Sequence, residues 1–517
     1  MTKPYNVLFI ITDQQRADHN GFMGNQVLRT PNLDGLASTG MVFDNAWVSN
    51  PVCMPNRATI MTGRMPSAHG VIFNDRSLEW NANTFVRRFR RSGYRTGLLG
   101  KSHLQHGMSK NSIVPYRGES SGSAPYPDGW DQWEDFERYQ NGAVIDPDDF
   151  YGFDHIELSI DHGARLSGHH LQWALEKGGR LADLVIDLDG NMPGTQQSEH
   201  WRQIYKPPYD PELHSTSFVT ERTMAFIDDA ESEDKPWLAW CSFPDPHHPM
   251  TPPGEWFDLY SPEDIDLPAS RQDDLASAPE HLRLFSSIHP RDQRNWVAPC
   301  GYGNDNLLQE AIAATYGMIA MIDDGVGSIL RHLENKGLRD NTIVVFTSDH
   351  GDMMGDHGLF LKGFMHYRGT LQVPLVIDAP GLSAGRTSAL ASSIDLGPTL
   401  MELCSIDAYD GIQGESLRPI VEHSQTHIRE SILIEDDVPL ITSKLTPIPA
   451  RTRTLLTEHY RFTRNSKGEE QLFDLDTDSD EMNNIADQSD LRTRMLTSLN
   501  DAMMLADDSS RGAPSTH

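Results

Sequence analysis

The chain has 517 residues, more than one ordinary domain holds and enough for a large buried core. Hydrophobic residues at 38% and charged residues at 23% match a soluble globular enzyme. The formal net charge of −31 excludes nucleic acid and anionic membrane as partners, since both select for clustered lysine and arginine; a site for an anionic substrate must be a local positive exception.

Four cysteines, Cys53, Cys241, Cys300 and Cys404, form no C-x-x-C pair and no disulfide-scaffold spacing, which indicates a reducing compartment. The first apolar run is too short for a signal-peptide core and meets Asp13 at once, and no run reaches the length of a membrane span. A cytoplasmic location is therefore expected. That first run, Asn6–Thr12, reads as a strand buried on both faces of a mainly parallel sheet. In such sheets ligands bind beyond the carboxyl ends of strands, so Asp13 stands where a site residue belongs. Alone, an aspartate there serves equally well as a helix cap.

Pro51–Arg64 sets Cys53, Pro55 and Arg57 at C-x-P-x-R spacing, ahead of a short helix closed by Gly63. A nucleophile at a helix N-terminus sits among free backbone N–H groups and partial positive charge, which suits attack on a sulfuryl or phosphoryl centre. The plain alternative is a buried structural cysteine in a turn. Thr84–Arg91 reads as a helix with a solvated basic face, and Arg95–Gly100 as a strand emerging into Lys101-Ser102-His103. From about 106 to 211 Gly, Ser, Pro, Asp and aromatic residues crowd together without periodicity, predicting loops and short elements over the site mouth.

A helix over 217–229 leads to the strand Pro236–Phe243, with Cys241 in the core and His247 and His248 beyond its end. A long amphipathic helix, about 307–336, precedes a second buried strand, Asn341–Ser348, that runs into Asp349-His350-Gly351-Asp352. Lys362 follows in a loop, Gln372–Ile377 reads as another buried strand, and Ser393–Leu400 as a strand-to-helix return. After about 405 short alternating strands take over, near 431–435, 452–457, 460–463 and 471–475, then a helix over 490–505 and a frayed tail from 507. The expected fold is α/β: a large, mainly parallel mixed sheet flanked by helices in residues 1–404, with 106–211 as a loop-rich insertion. Residues 405–517 are expected to form a small antiparallel α+β subdomain.

With the Thr62-Gly63-Arg64 that follows, Cys53, Pro55 and Arg57 resemble the signature of the formylglycine-dependent sulfatases (type I sulfatases, arylsulfatases) and of the phosphonate monoester hydrolases close to them, within the alkaline phosphatase superfamily. Asn56 stands where serine or alanine is commoner, and Met54 is unusual. The resemblance implies that a formylglycine-generating enzyme converts Cys53 to formylglycine (3-oxoalanine), whose hydrate is the nucleophile. It implies one divalent metal ion, held by Asp13, Asp349, His350 and an oxygen of modified Cys53, with Gln14 as a fifth ligand. Oxygen-rich sites suit calcium, magnesium or manganese, and an imidazole moves the balance toward manganese. Arg57 would fix the hydrated aldehyde, Lys101 contact sulfate oxygens, and His103 touch the nucleophile's second hydroxyl. His247 would act as general acid toward the leaving oxygen, and Lys362 would bridge sulfate and leaving group. Asn74 lies where phosphonate hydrolases carry a substrate-contacting asparagine. His69 is expected to be structural, His248 to be structural or to support a neighbouring site residue, and Asp356 and His357 to brace the Lys362 loop.

The expected activity is therefore hydrolysis of a small anionic ester, a sulfate monoester on an aryl or other small alcohol. A phosphonate monoester or phosphodiester hydrolase on the same scaffold is the alternative, and a catalytically silent metal-binding homologue a more distant one. A cysteine-dependent phosphatase needs C-x5-R, whereas this chain has C-x3-R. Assembly as a homo-oligomer stays open.

Overall fold

The structure is a computed structural model and describes residues 4–106, 129–140, 147–160, 162, 165–185, 196–290, 299–423 and 425–507. The tail expected to fray lies outside these residues beyond 507, as does much of the loop-rich region.

Among the described residues ten strands precede residue 393: β1 (Asn6–Thr12), β2 (Met41–Trp47), β3 (Arg95–Gly100), β4 (His155–Leu158), β5 (Trp237–Ser242), β6 (Cys300–Gly301), β7 (Thr342–Ser348), β8 (Leu359–Phe360), β9 (Leu375–Asp378) and β10 (Gly385–Ser392). Eight form one sheet in the order β10, β2, β9, β7, β1, β5, β3, β4, while β6 and β8 pair separately. Every neighbour in the large sheet is parallel except β9, which runs antiparallel to both β2 and β7.

β1 is apolar without alternation because both of its faces are covered. Val7, Phe9 and Ile11 enter a core with Phe85, Phe89 and Trp240, where the Phe9 and Trp240 rings stack at 4.5 Å. Leu8 and Ile10 point the other way, into a core supplied by the helices Ser215–Ser232 and Asp305–Asn335 through Phe218, Phe226, Ile322 and Val326. On the first face lie the helices Cys53–Thr62, Phe85–Arg91 and Leu396–Leu403.

Two expectations need correction. The strand expected over 372–377 begins only at Leu375, because Arg368–Leu371 closes a helical turn just before it. Within the 106–211 region, expected to hold loops and short elements, β4 extends the main sheet beside β3, with Leu98 opposite Ile156. Its four residues alternate between half-buried and buried, as on a sheet edge, which is too short a pattern to read from sequence. The basic face of the Phe85–Arg91 helix is only partly solvated, since Arg87 and Arg90 pair with Asp149 at 3.1 and 3.5 Å.

Four further strands, β11 (Ser431–Asp437), β12 (Arg451–Thr457), β13 (Tyr460–Asn465) and β14 (Glu470–Asp474), make a separate antiparallel sheet in chain order. The helix Ser489–Ala506 covers it by placing Met495 and Leu499 on Leu455, Phe462 and Leu472.

The register of the central strands matters most for function. Thr12 pairs with Ser348, Ile11 with Ser242 and Gly100 with Ser242, so β7, β1, β5 and β3 end at one level and release their following residues together. Gly100 makes this possible on β3. Its φ is +107°, and a Cβ there would stand 1.9 Å from the Ser242 carbonyl oxygen. Gly100→Ala is expected to lower stability by about 2 to 4 kcal/mol, read as a fall in the urea midpoint, and to reduce whatever function Lys101 serves.

Candidate active site

Asp13 and Asp349 follow two strands paired in register, and both are fully buried. Backbone bonds fix them: Asp13 N–H to the Asp245 carbonyl at 3.2 Å, and Asp349 N–H to that of Thr12 at 3.1 Å. Cys53 arrives beside them on the first turn of its helix, where Pro55 costs no hydrogen bond and Gly63, at φ +59°, closes the last turn. Ligand atoms of Asp13, Cys53, Asp349 and His350 all lie within 4.8 Å of one another.

Asn56, the departure from the usual signature, has a concrete task. Its Nδ2 donates to the Asp349 carbonyl at 2.5 Å, while its Oδ1 accepts from Ser393 Oγ at 2.6 Å and Ser49 N–H at 3.2 Å. The nucleophile helix is thereby tied to the end of β7. Asn74 stands at the same helix N-terminus, its Oδ1 accepting from Met54 N–H at 3.1 Å. His69 sits behind the helix. Val71 N–H donates to its Nδ1 and its Nε2 meets Thr59 Oγ1 at 3.0 Å, and burial pushes it down to about 3, so it is neutral.

Three cations converge on the two carboxylates. Arg57 Nε donates to Asp349 Oδ2 at 2.7 Å and its Nη2 lies 3.7 Å from Asp13 Oδ2. The Lys101 ammonium contacts Asp13 Oδ2, and Lys362 Nζ lies 2.8 Å from Cys53 Sγ and 3.7 Å from Asp13 Oδ1. Burial alone would raise the Asp13 carboxyl, but Lys101, Lys362 and His247 hold it well below the usual carboxylate range. Burial, then Asp13, pushes the Cys53 thiol up. An unmodified thiol here is therefore a poor nucleophile near neutral pH.

Histidines form the opposite wall. His247 is sandwiched between His162, with centroids 3.7 Å apart, and His248, at 4.0 Å; its Nδ1 bonds the His248 carbonyl. His162 Nε2 contacts Lys101 Nζ, and the His103 ring stands edge-on to His162 at 6.1 Å. Burial holds both His103 and His247 well below the usual imidazole range, helped by Lys101 beside His103 and by Lys362 beside His247. His103 Nδ1 is buried without a hydrogen-bond partner among the described residues. Its segment is organised by Glu134, whose carboxylate accepts from Ser102 Oγ and from the N–H groups of His103, Leu104 and Gln105 at 2.7 to 3.0 Å.

Glu134 and His162 both come from the loop-rich region and escaped the sequence reading. One signal pointed to His162: Asp161-His162-Gly163 repeats the Asp349-His350-Gly351 triplet.

The donor set fits a divalent cation. His350 Nδ1 donates to the Gly351 carbonyl at 2.8 Å, which leaves Nε2 as the acceptor, 3.1 Å from Cys53 Sγ and 2.9 Å from Lys362 Nζ; burial, then Lys362, lowers this imidazole to about 4, so it is neutral with a lone pair at Nε2. Gln14 Nε2 is engaged by Asp352 and by His248 Nδ1, whereas Gln14 Oε1 is buried with no hydrogen-bond partner among the described residues. An orphaned buried amide oxygen, on the residue that follows Asp13, adds to two carboxylates and an imidazole a donor that suits a hard cation.

The Lys362 loop is held from two sides. Leu361 and Phe364 take φ of +69° and +62°, a conformation that costs a side-chain-bearing residue about 1 kcal/mol or more. Leu361 N–H donates to Asp352 Oδ1 at 3.0 Å, and Phe364 N–H to Asp436 Oδ2, on β11, at 3.1 Å. Further along, Asp356 pairs with Arg16 at 2.7 Å, and His357 bonds Asp273 at 2.8 Å and stacks on Tyr367.

Residues 5–406 match the family model described as Sulfatase, and residues 355–506 the one described as N-sulphoglucosamine sulphohydrolase, C-terminal. The chain is 31% identical to an arylsulfatase of Clostridium perfringens, over 95% of this chain and 92% of that protein. It is 28% identical to the uncharacterized sulfatase YidJ of Escherichia coli, over 97% and 88% of the two. Among solved structures, the phosphonate monoester hydrolase of Agrobacterium radiobacter matches with a TM-score of 0.76 at 24% identity, covering 97% of this chain and 95% of that one, which shows a shared fold.

Asp436→Ala removes the carboxylate that holds the Lys362 loop. It is expected to cost about 1 to 3 kcal/mol in denaturant titrations, from the stranded Phe364 N–H, and to lower turnover about tenfold through a misplaced Lys362.

Proposed function

The chain belongs to the sulfatase family and is a sulfuric ester hydrolase; on that premise we propose that it cleaves small sulfate monoesters, aryl esters among them, with residue 53 converted to formylglycine. The observation that carries this reading is the convergence of Lys362, Lys101 and Arg57 on Cys53 and the Asp13–Asp349 pair, a positive cradle in a chain of net charge −31. Converted by a formylglycine-generating enzyme, residue 53 would supply a hydrated aldehyde as oxygen nucleophile. A divalent cation held by Asp13, Gln14, Asp349 and His350, calcium or manganese by its donor set, with magnesium also suited, would supply Lewis-acid stabilisation of charge on the sulfuryl oxygens.

The chain's own side chains do the rest. Arg57 spends Nε on Asp349 and Nη1 on Ser242 Oγ and the Lys101 carbonyl, which leaves Nη2 to orient the group at residue 53. Lys101 and Lys362 bind non-bridging sulfate oxygens. An anion lodged between them and His247 raises the imidazole from its depressed state, so that it can carry the proton the departing alcohol needs, a contribution of about 10² to 10⁴ in rate. His103 Nδ1 is left to accept a proton in the second half of turnover. Asn74 acts through the helix N-terminus it caps.

We assign catalysis to residues 1–404, the supporting sheet to 405–517, and residence to the cytoplasm. All four cysteines are free, and no helix among the described residues is long and apolar enough to cross a membrane.

The test compares an aryl sulfate with an aryl phosphonate monoester. The sulfate is expected to give the larger kcat/KM, Lys101→Ala to lower it by about 10² or more, and dialysis against a chelator to abolish it until calcium or manganese is returned. A preference for the phosphonate, or turnover that survives chelation, contradicts the reading.

A further inference from the structure

One side chain from the loop-rich region reaches the centre of the site. His162 Nε2 meets the Lys101 ammonium and lies 3.7 Å from Asp13 Oδ2. Its ring covers His247 at 3.7 Å with the planes 24° apart, and stands edge-on to His103 at 6.1 Å. A single residue thus adjoins the three groups assigned to the anion, to the leaving oxygen and to the second proton transfer. Its side chain is 16% exposed, against 4% for Lys101 and none for Asp13.

Both contacts remove freedom that catalysis cannot tolerate. Lysine carries its charge on a flexible four-carbon stem with three rotatable donors. In this site Asp13 takes one donor and His162 Nε2 another, which fixes the ammonium between two points. His247 is held at Nδ1 by the His248 carbonyl and on one face by the His248 ring at 4.0 Å; His162 closes the other face. Without it the His247 ring has space to tilt away from the leaving oxygen.

Resting on the reading of this site as that of a sulfuric ester hydrolase, we propose that His162 is a positioning residue. It fixes Lys101 by accepting a hydrogen bond at Nε2 and fixes His247 by covering its outer face. The loop-rich region thereby takes part in turnover.

The test is a series of His162→Ala, His162→Gln and His162→Phe, with kcat and KM for an aryl sulfate, the melting temperature, and the conversion of residue 53 recorded for each. His162→Ala is expected to lower kcat by about 10- to 100-fold while KM stays within about threefold, because misplaced groups fail chiefly at the transition state. His162→Gln restores an acceptor and His162→Phe restores the covering ring, so each recovers part of the loss, with melting temperatures within about 2 °C of wild type. A kcat for His162→Ala within about twofold of wild type overturns the proposal, as does a loss shared equally by all three variants or one that follows the melting temperature. If the wild type turns over an aryl phosphonate and not the sulfate, the sulfatase reading fails separately. The same series is then read on the phosphonate, where an unaffected kcat overturns the role of His162.

Discussion

Two carboxylates buried side by side constrain everything around them. Asp13 and Asp349 end adjacent strands in register and are closed off from water, so burying two carboxylates together calls for cations at contact distance. Arg57, Lys101 and Lys362 meet that demand from three separate parts of the chain, and the donor set is of a kind that could hold a divalent cation. Three side-chain cations against two carboxylates give the excess positive charge that a chain of net charge −31 needs in order to bind an anionic ester. Stability and function are therefore coupled here: deleting one member leaves another charge buried without its partner.

The supporting structure is organised around the same point. The central strands deliver Asp13, Asp349 and Lys101 to one level, and the helix of Cys53 is tied to them through Asn56. The small antiparallel sheet contributes through β11. Glu435 accepts from Ser67 N–H at 2.8 Å, its carbonyl accepts from Asn50 Nδ2 at 2.6 Å, and Asp436 holds the Lys362 loop. Neighbouring residues of one strand thus brace the nucleophile segment and the lysine that faces it. Residues in left-handed backbone conformation, Gln14, His103, Leu361 and Phe364, gather at the site, where hydrogen bonds hold conformations that the chain would not otherwise favour.

Much of this was legible in the sequence because its signals are local. β1 and β7 are uninterrupted apolar runs ending in aspartate, and C-x-P-x-R, Gly-Lys-x-His and Pro-His-His-Pro are short spacings at strand or helix ends. The residues that escaped are those whose meaning lies in a distant partner. Glu134 organises the Ser102–Gln105 segment from about 30 positions away, and β4 is a four-residue edge strand with a weak pattern. His162 is one of 22 histidines, set in a stretch without periodicity, and only the fold brings it to Lys101 and His247. The antiparallel sense of β9 was equally hidden, since a buried strand looks the same from either direction.

The proposed chemistry requires residue 53 to work as an aldehyde hydrate and not as a thiol. Its most direct test is the mass of the peptide carrying residue 53, taken from protein whose aryl sulfatase activity has been measured on the same preparation. The expected peptide is lighter than the cysteine form by about 18 Da, from loss of sulfur and two hydrogens and gain of a carbonyl oxygen, in a fraction that rises and falls with specific activity. Full activity in a preparation whose peptide carries only the intact thiol would contradict that chemistry.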